Sequence, residues 1–188
     1  MKLEILSNIS MEGLVCPKQK IISSQLAGYT MDYIDGSYIT SLNLTKLELI
    51  ELFKTISRLL KYYHRSGIVL ADINLSNILV KSPQEVYFCD VDSCKIMDLS
   101  HDSIPFLAHH FLTQFGIDAK NIKVDENFDN LCVFLIFLYV ILDKKNILSL
   151  SNYKLDKKLE EKGFEKQKVF IKQFRSKLIE VPYIEEIL

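Results

Sequence analysis

The sequence predicts an α+β fold in which a few short strands join a mainly helical body. Short apolar stretches at 68–70, 78–80 and 86–89 are separated by polar turns, as expected for short strands. The stretch 45–63 has apolar residues at helical spacing, and 131–142 is an unbroken apolar run. With 188 residues, of which 48% are hydrophobic, the chain is long enough to bury a sizeable core.

The helix predicted over 45–63 carries start and stop signals. Thr45 and Glu48 have the spacing of a capping box, and Gly67 stands just beyond the helix end. His64, close to that end, is interpreted as a partner of the helix dipole rather than as a catalytic base.

The apolar run 131–142 is too short to span a bilayer and predicts a fully buried helix. Asp129 precedes it, where a carboxylate would cap a helix N-terminus. Farther along, one amphipathic helix is predicted, and Pro182 would end it before a short tail. The apolar face of that helix would comprise Val169, Phe170, Phe174, Leu178 and Ile179.

Oxygen-bearing side chains stand at the ends of the three predicted strands. Asp72 and Asn77 lie on the loop between the first two strands, and Asp90 follows the third. Loops held by a rigid scaffold are a usual place for catalytic groups. Carboxylate and amide oxygens suit Mg²⁺, and phosphoryl transfer needs mainly such metal ligands and one group that orients the attacking hydroxyl. The spacing therefore favours phosphoryl transfer on Mg-ATP.

The phrase L-A-D-I-N-L-S-N at 70–77, followed by D-V-D at 90–92, resembles the protein kinase pattern H-R-D-x-x-x-x-N and D-F-G. The wording is most similar to small bacterial kinase-like proteins. The resemblance implies ATP and Mg²⁺ as cofactors, with Asp72 as catalytic base, Asn77 as a metal ligand and Asp90 as the principal metal ligand. Leu79 would form the floor under adenine.

The phrase G-Y-T-M-D-Y-I-D-G at 28–36 resembles the kinase hinge phrase M-E-Y-x-x-G. On that resemblance Met31 would be the gatekeeper, and backbone groups of Asp32 and Ile34 would bond the adenine edge. Taken alone, the phrase would indicate only an exposed edge strand and turn.

Three further positions are compared with the family. Leu70 stands where kinases usually carry His, and Asn74 where protein kinases usually carry Lys. Asp129 matches an Asp that opens the central hydrophobic helix of kinases and ties back to the catalytic-loop backbone. Its alternative remains the simple helix cap.

The resemblance covers the end of the small lobe and the whole large lobe, which gives a remnant of small lobe and hinge at 1–36 and a large lobe at 37–188. The stretch before Met31 has no Gly-rich phosphate loop and no V-A-I-K phrase. Lys18 and Lys20 are weighed as phosphate ligands, although turn lysines are usually solvated. An exposed apolar face for a partner subunit or self-association is expected around Leu14, Ile22, Leu26 and Tyr29.

Three functions follow from the resemblance. The first is an ATP-dependent phosphotransferase of protein kinase type, minimal or completed by a partner, that acts on a Ser/Thr or small-molecule hydroxyl. The second is a pseudokinase that binds nucleotide or protein without turnover, and the third is a kinase-like fold without nucleotide function. The retained trio of Asp72, Asn77 and Asp90 favours the first two.

Charge and cysteine usage complete the expectations. The formal net charge of −1 provides no global field for nucleic acid or an anionic membrane. The four cysteines lack paired spacing, so free thiols in the reducing cytoplasm are expected.

Overall fold

The computed structural model describes residues 2–24, 27–96, 105–118, 122–142, 150–176 and 180–188. The helices in these ranges are α1 (Lys2–Ser7), α2 (Lys46–Arg65), α3 (Phe106–Gln114), α4 (Glu126–Leu142), α5 (Asn152–Glu161) and α6 (Lys168–Ser176). The strands are β1 (Gln19–Ile22), β2 (Ala27–Thr30), β3 (Ser37–Tyr38), β4 (Ile68–Val69), β5 (Ile78–Ser82), β6 (Glu85–Phe88) and β7 (Lys95–Ile96). The predicted α+β class is confirmed.

The described strands form three small antiparallel sheets: β1 with β2, β3 with β5 and β6, and β4 with β7. The three strands predicted around the polar residues are confirmed as β4, β5 and β6. In the three-stranded sheet Leu79 pairs with Tyr38 on one side and with Tyr87 on the other. The loop at 70–77 therefore connects two strands of different sheets.

Helix α2 begins and ends as its sequence predicts. The Glu48 backbone N–H donates to Thr45 Oγ1 at 3.3 Å, and the Thr45 N–H donates to Glu48 Oε2 at 2.8 Å, which completes the capping box. Gly67 follows the helix with φ of 76°, a left-handed conformation that glycine adopts without strain. One face of α2, which includes Leu52, Phe53 and Ile56, is fully buried.

Helix α4 occupies the centre of the core, as the apolar run predicts. Almost every residue from Phe128 to Leu142 is buried, and Phe137 packs edge-on against Phe53 of α2 with ring centroids 5.2 Å apart. Edge-to-face pairs of this kind stabilise a core beyond the area that they bury. Among the described helices, none combines the length and apolarity needed to cross a bilayer.

The C-terminal part differs from its prediction. Two helices, α5 and α6, stand where one was expected, because the chain turns at Gly163, whose φ is 73°. Val169 is 66% exposed, so its assignment to the apolar face is wrong, whereas Phe174 is buried as predicted. Leu178 and Ile179 lie outside the described residues. The segment after Pro182 is not a free tail, since Ile184 is buried in the core.

The N-terminal part also requires a correction. Leu14 was expected on an exposed face, but it is 9% exposed because its segment pairs with the end of β6. Val15 N–H donates to Phe88 O at 2.9 Å, and Phe88 N–H donates to Gly13 O at 2.7 Å. Ile22 is 68% exposed, as predicted, and Tyr29 is half-buried, while Leu26 lies outside the described residues. The division at residue 36 stays a prediction.

Candidate functional site

A buried carboxylate on α4 holds the start of the loop at 70–77. Asp129 Oδ2 accepts a hydrogen bond from the Leu70 N–H at 2.7 Å, and Oδ1 accepts one from the Ala71 N–H at 2.9 Å. Of the two roles considered for Asp129, the tie to the loop backbone is the one observed. The cap of α4 belongs instead to Asp125, whose Oδ1 accepts from the Asn127 N–H at 3.0 Å.

The loop places Asp72 between two side-chain amides. Asn77 Nδ2 donates to the backbone oxygen of Asp72 at 2.9 Å and lies 3.4 Å from its Oδ2. Asn74 Nδ2 lies 3.3 Å from Asp72 Oδ1, and the Asn74 Oδ1 accepts from the Ser76 N–H at 2.9 Å. All three side chains at 72, 74 and 77 are buried, so the carboxylate is held within the loop.

Asp90 is brought to the same place by the pairing of two strands. The Cys89 N–H donates to the backbone oxygen of Asn77 at 2.9 Å, so the end of β6 lies against the end of the loop. Asp90 itself is exposed and has φ of 57°. Left-handed backbone is uncommon outside glycine, and Asp is one of the residues enriched there. The predicted residues Asp72, Asn77 and Asp90 therefore converge.

The electrostatics of the site reflect this convergence. Burial raises the pKa of Asp72 to about 6, and the charges of Asp90 and Asp92 act in the same direction against the hydrogen bonds from Asn74 and Asn77. Burial and the nearby Asp92 carboxyl also raise the pKa of Asp90. Like charges in one site disfavour ionisation. A divalent cation at this edge would relieve that repulsion.

The oxygen ligands that the site offers suit a hard cation that keeps water or phosphate oxygens as its remaining ligands. Because Asn77 Nδ2 is used by Asp72, its Oδ1 is the amide atom that remains for a cation. Within the described ranges, no group of three or more His, Cys, Asp or Glu side chains is arranged to hold a metal ion. A Mg²⁺ ion here would be held by one or two carboxylates and Asn77, with the remaining positions filled by phosphate oxygens and water.

The residues predicted around adenine lie in two environments. Asp32 and Ile34 line a cleft of about 360 Å³ together with residues 13–18 and Tyr87. Met31, which is 43% exposed, and Leu79, which is half-buried in β5, do not line that cleft. The Ile34 carbonyl already accepts from the Gly36 N–H at 3.0 Å. The structure thus brings Asp72, Asn77 and Asp90 together more closely than the four residues predicted around adenine.

The hairpin β1–β2 stands beside the acidic residues. Burial and the charges of Asp92 and Asp90 raise the pKa of Tyr29 on β2. The two lysines weighed as phosphate ligands take other positions: Lys18 Nζ pairs with Asp32 Oδ1 at 2.6 Å, and Lys20 is exposed on β1.

Sequence reasoning missed the site roles of Asn74, Asp92 and His64. Asn74 was noted only as a departure from the family, although Asn followed two residues later by Ser is a usual signal for a side-chain-capped turn. Asp92 is the second acid of the D-V-D phrase. His64 lies in the last turn of α2, as its interpretation as a dipole partner requires, but its buried ring also bonds Asp129 Oδ2 at 3.0 Å, a contact that was not predicted. No local sequence pattern predicts the contact between His64 and Asp129, because the two residues are far apart in the chain.

Comparison of the sequence with models of known protein families found no match, and neither did a search among curated proteins. Function is therefore argued from the chemistry of the site.

The raised pKa of Asp72 predicts a stability cost at neutral pH. Because the folded state binds this proton more tightly than the unfolded chain, stability falls as pH rises from about 4 to about 6 and stays lower above that range. In Mg²⁺-free buffer at pH 7.5, we expect Asp72→Asn to raise the free energy of unfolding by about 1 kcal/mol, because the gain from removing the buried charge is partly offset where the new NH₂ group faces Asn74 or Asn77 Nδ2. Urea unfolding at several pH values measures it.

The gain from Asp72→Asn should fade as the pH falls from 6 to 4, since the wild-type group is then neutral as well. Asp35→Asn, at an exposed carboxylate, should change stability by less than about 0.5 kcal/mol and serves as the control. A loss of stability in Asp72→Asn at pH 7.5 would contradict this account.

Proposed function

We propose that this chain is an ATP-dependent phosphotransferase of protein kinase type, with a Ser/Thr hydroxyl as the leading acceptor. The observation that carries the proposal is the loop at 70–77, which Asp129 fixes at one end and Asn77 closes around Asp72. The contact from Cys89 to Asn77 brings Asp90 to the same edge. This arrangement supplies a base and metal ligands within one site, as phosphoryl transfer requires.

Asp72 has the properties expected of the group that orients the acceptor hydroxyl. Its carboxylate is buried and held by two amides, which fixes its direction. A pKa of about 6 is closer to neutral pH than that of an ordinary Asp, and a base is most effective when its pKa lies near the working pH. At pH 7 the group is still mostly ionised and able to accept the proton.

Asp90 and Asn77 would hold Mg²⁺ on the ATP phosphates. Asp90 is exposed at the end of β6, where phosphate oxygens can share its cation, and Asn77 offers its amide oxygen from the loop. The backbone groups of Asp32 and Ile34 are proposed to bond the adenine edge, with Met31 and Leu79 as its apolar neighbours. The abundance of ATP and Mg²⁺ makes the cytoplasm the proposed location, and the described cysteines are free thiols.

A second candidate is a pseudokinase that binds nucleotide or protein without turnover. The observation that favours it is the pairing of Lys18 with Asp32, which leaves that lysine on the surface rather than at the acidic edge. A cation that clamps phosphates stabilises transition-state charge, and its absence weakens transfer more than binding. The two candidates therefore share the metal trio and differ in turnover.

The hairpin β1–β2 is proposed as the contact face for a partner subunit or a second copy. Every residue of β1 is exposed, and Ile21 and Ile22 are 41% and 68% exposed. A two-stranded hairpin is marginal in water unless another element packs on it. We expect concentration-dependent association by light scattering, which Ile22→Lys should weaken. A wild-type chain that stays monomeric at high concentration would count against self-association.

Calorimetry of Mg-ATP binding on the full chain tests the proposed function, together with a phosphate-transfer assay on the same sample. We expect binding with Mg²⁺ and little without it, since the acidic edge repels bare phosphate. Transfer to a Ser/Thr peptide would identify the enzyme, and binding without transfer would support the pseudokinase. Equal heats with and without Mg²⁺, or no heat at all, would overturn the proposed site.

A further inference from the structure

The C-terminal segment at 180–188 is attached to the body by polar contacts along α2. Lys61 forms ion pairs with Glu185 and, at 3.5 Å, with Glu186. The Glu185 N–H donates to Ser57 Oγ at 3.2 Å. The backbone oxygens of Ile187 and Leu188 accept from Nε2 of Gln167, which precedes α6. The segment therefore takes one defined position against α2 and the start of α6.

This attachment continues into the core through a single tyrosine. Tyr183 Oη lies 2.9 Å from His64 Nδ1, and His64 Nε2 lies 3.0 Å from Asp129 Oδ2. The side chains of His64 and Asp129 are 1% and 0% exposed, so water does not compete for the bond between them, whereas Tyr183 is half-buried. Because a carboxylate only accepts, His64 carries a proton on Nε2, and its Nδ1 accepts from the Tyr183 hydroxyl when the ring is neutral.

The same carboxylate holds the loop that bears Asp72. Asp129 accepts from His64 Nε2 and from the backbone N–H groups of Leu70 and Ala71. Ala71 has φ of 65°, which costs a non-glycine residue about 1–2 kcal/mol. Such a strained conformation persists only where contacts with the surrounding structure hold it in place. The orientation of the Asp129 carboxylate is therefore part of what maintains the loop.

We infer that the C-terminal segment positions the loop of Asp72 through the hydrogen-bonded chain from Tyr183 to His64 to Asp129. Tyr183 and His64 are positioning residues in this inference, since neither contacts the Asp72 carboxylate. Their effect on the loop stands by itself, whereas their effect on phosphate transfer rests on the proposed function.

The contact of Tyr183 with His64 joins distant parts of the chain. Tyr183 and His64 are 119 positions apart, and Asp129 lies 65 positions from His64. A change in the seating of the segment on α2 would alter the support of Asp129 without contacting Asp90, which lies outside the loop. Any partner that displaced the segment would therefore weaken turnover before it weakened nucleotide binding.

Amide hydrogen exchange at Leu70 and Ala71 tests the effect on the loop without any assumption about activity. In Tyr183→Phe we expect both amides to exchange about fivefold faster, the change that one net hydrogen bond supports. The ring remains, and with it the contact of Lys61 Nζ over its face at 4.7 Å to the centroid. Tyr153→Phe, at a tyrosine that is 76% exposed on α5, is the matched control.

Two substitutions at His64 separate positioning from simple packing. His64→Gln keeps an N–H donor for Asp129, whereas His64→Leu keeps volume alone. We expect exchange at Leu70 and Ala71 to be faster in the leucine variant than in the glutamine variant. The amide of Phe164, which donates to Leu159 O at 2.7 Å at the end of α5, serves as the global reference. Equal acceleration at Phe164 would indicate general destabilisation and would overturn the inference.

Steady-state kinetics test whether the loop affects phosphate transfer. If the proposed function holds, Tyr183→Phe should lower kcat several-fold and change the KM for ATP much less, because Asp90, the principal proposed metal ligand, lies outside the loop. Unchanged exchange at Leu70 and Ala71 would overturn the inference whatever the activity. Faster exchange in a chain that binds no Mg-ATP would support the inference and reject the proposed function.

Discussion

Asp90→Asn should abolish measurable Mg²⁺-dependent ATP binding, whereas Asp72→Asn should retain binding and lose phosphate transfer. Asp90 is the exposed carboxylate at the end of β6, and asparagine tolerates its φ of 57°, so the variant removes charge and spares the backbone. Substitution of residues that hydrogen-bond to metal ligands costs about 10–100-fold in metal affinity. Substitution of a direct ligand should therefore cost at least about 100-fold.

Asp72→Asn removes the group proposed to orient the acceptor hydroxyl and keeps the proposed metal ligands. Loss of a general base lowers transfer by about 10²–10⁴-fold. The change also removes a carboxylate that repels Asp90, so the affinity for Mg-ATP should stay within a few-fold of wild type. The contrast between the two variants distinguishes the metal role from the base role.

Calorimetry and a transfer assay on both variants make the comparison, with Glu161→Gln as an exposed carboxylate control on α5. Wild-type binding in Asp90→Asn would remove Asp90 from the metal site. Wild-type transfer in Asp72→Asn would remove Asp72 from the base role. If Asp72→Asn instead loses binding, the residue belongs with the metal ligands.

Asp129→Asn should lower the free energy of unfolding by about 3–5 kcal/mol, since hydrogen bonds to a charged acceptor contribute about 1.5–3 kcal/mol each and the substitution loses at least one and weakens the others. The carboxylate accepts from His64 and from the Leu70 and Ala71 N–H groups, all in a fully buried position. Asparagine has a single acceptor oxygen, so its NH₂ group would face a donor and leave a buried N–H unpaired. For a chain of this size the melting temperature should fall by about 10 °C.

Asp125→Asn is the matched control, because it makes the same change four residues earlier in the sequence. Among the described residues, Asp125 accepts through Oδ1 from the Asn127 and Phe128 N–H groups, and asparagine retains that oxygen. Asparagine is as good a helix cap as aspartate, so stability should change by less than about 0.5 kcal/mol. Similar melting temperatures for the two variants would show that Asp129 is not the central tie of the loop.

Local patterns were sufficient to predict the elements that surround the site. Helix α2 follows from apolar spacing and the Thr45–Glu48 box, and α4 follows from its unbroken apolar run. The convergence of Asp72, Asn77 and Asp90 was predictable because each stands at the end of a short strand. The roles proposed for them remain predictions.

Contacts between distant segments were beyond the reach of such patterns. Leu14 was predicted to be exposed, since nothing near it indicates that its segment pairs with Phe88. Val169 fits a helical apolar stripe, but α6 buries Ile171 and Phe174 and leaves Val169 66% exposed. The docking of Tyr183 on His64 likewise depends on tertiary packing, which overrides local preference.

The left-handed backbone at Ala71 and Asp90 limits which sequences can form this site. A β-branched residue at either position would bring its extra side-chain atom against the backbone and is a genuine outlier at positive φ. The choice of residue at both positions is thus restricted by the backbone conformation, even though the side chain of Ala71 carries no functional group. A redesigned loop that kept every polar side chain but placed valine at 71 would lose the geometry on which those side chains depend.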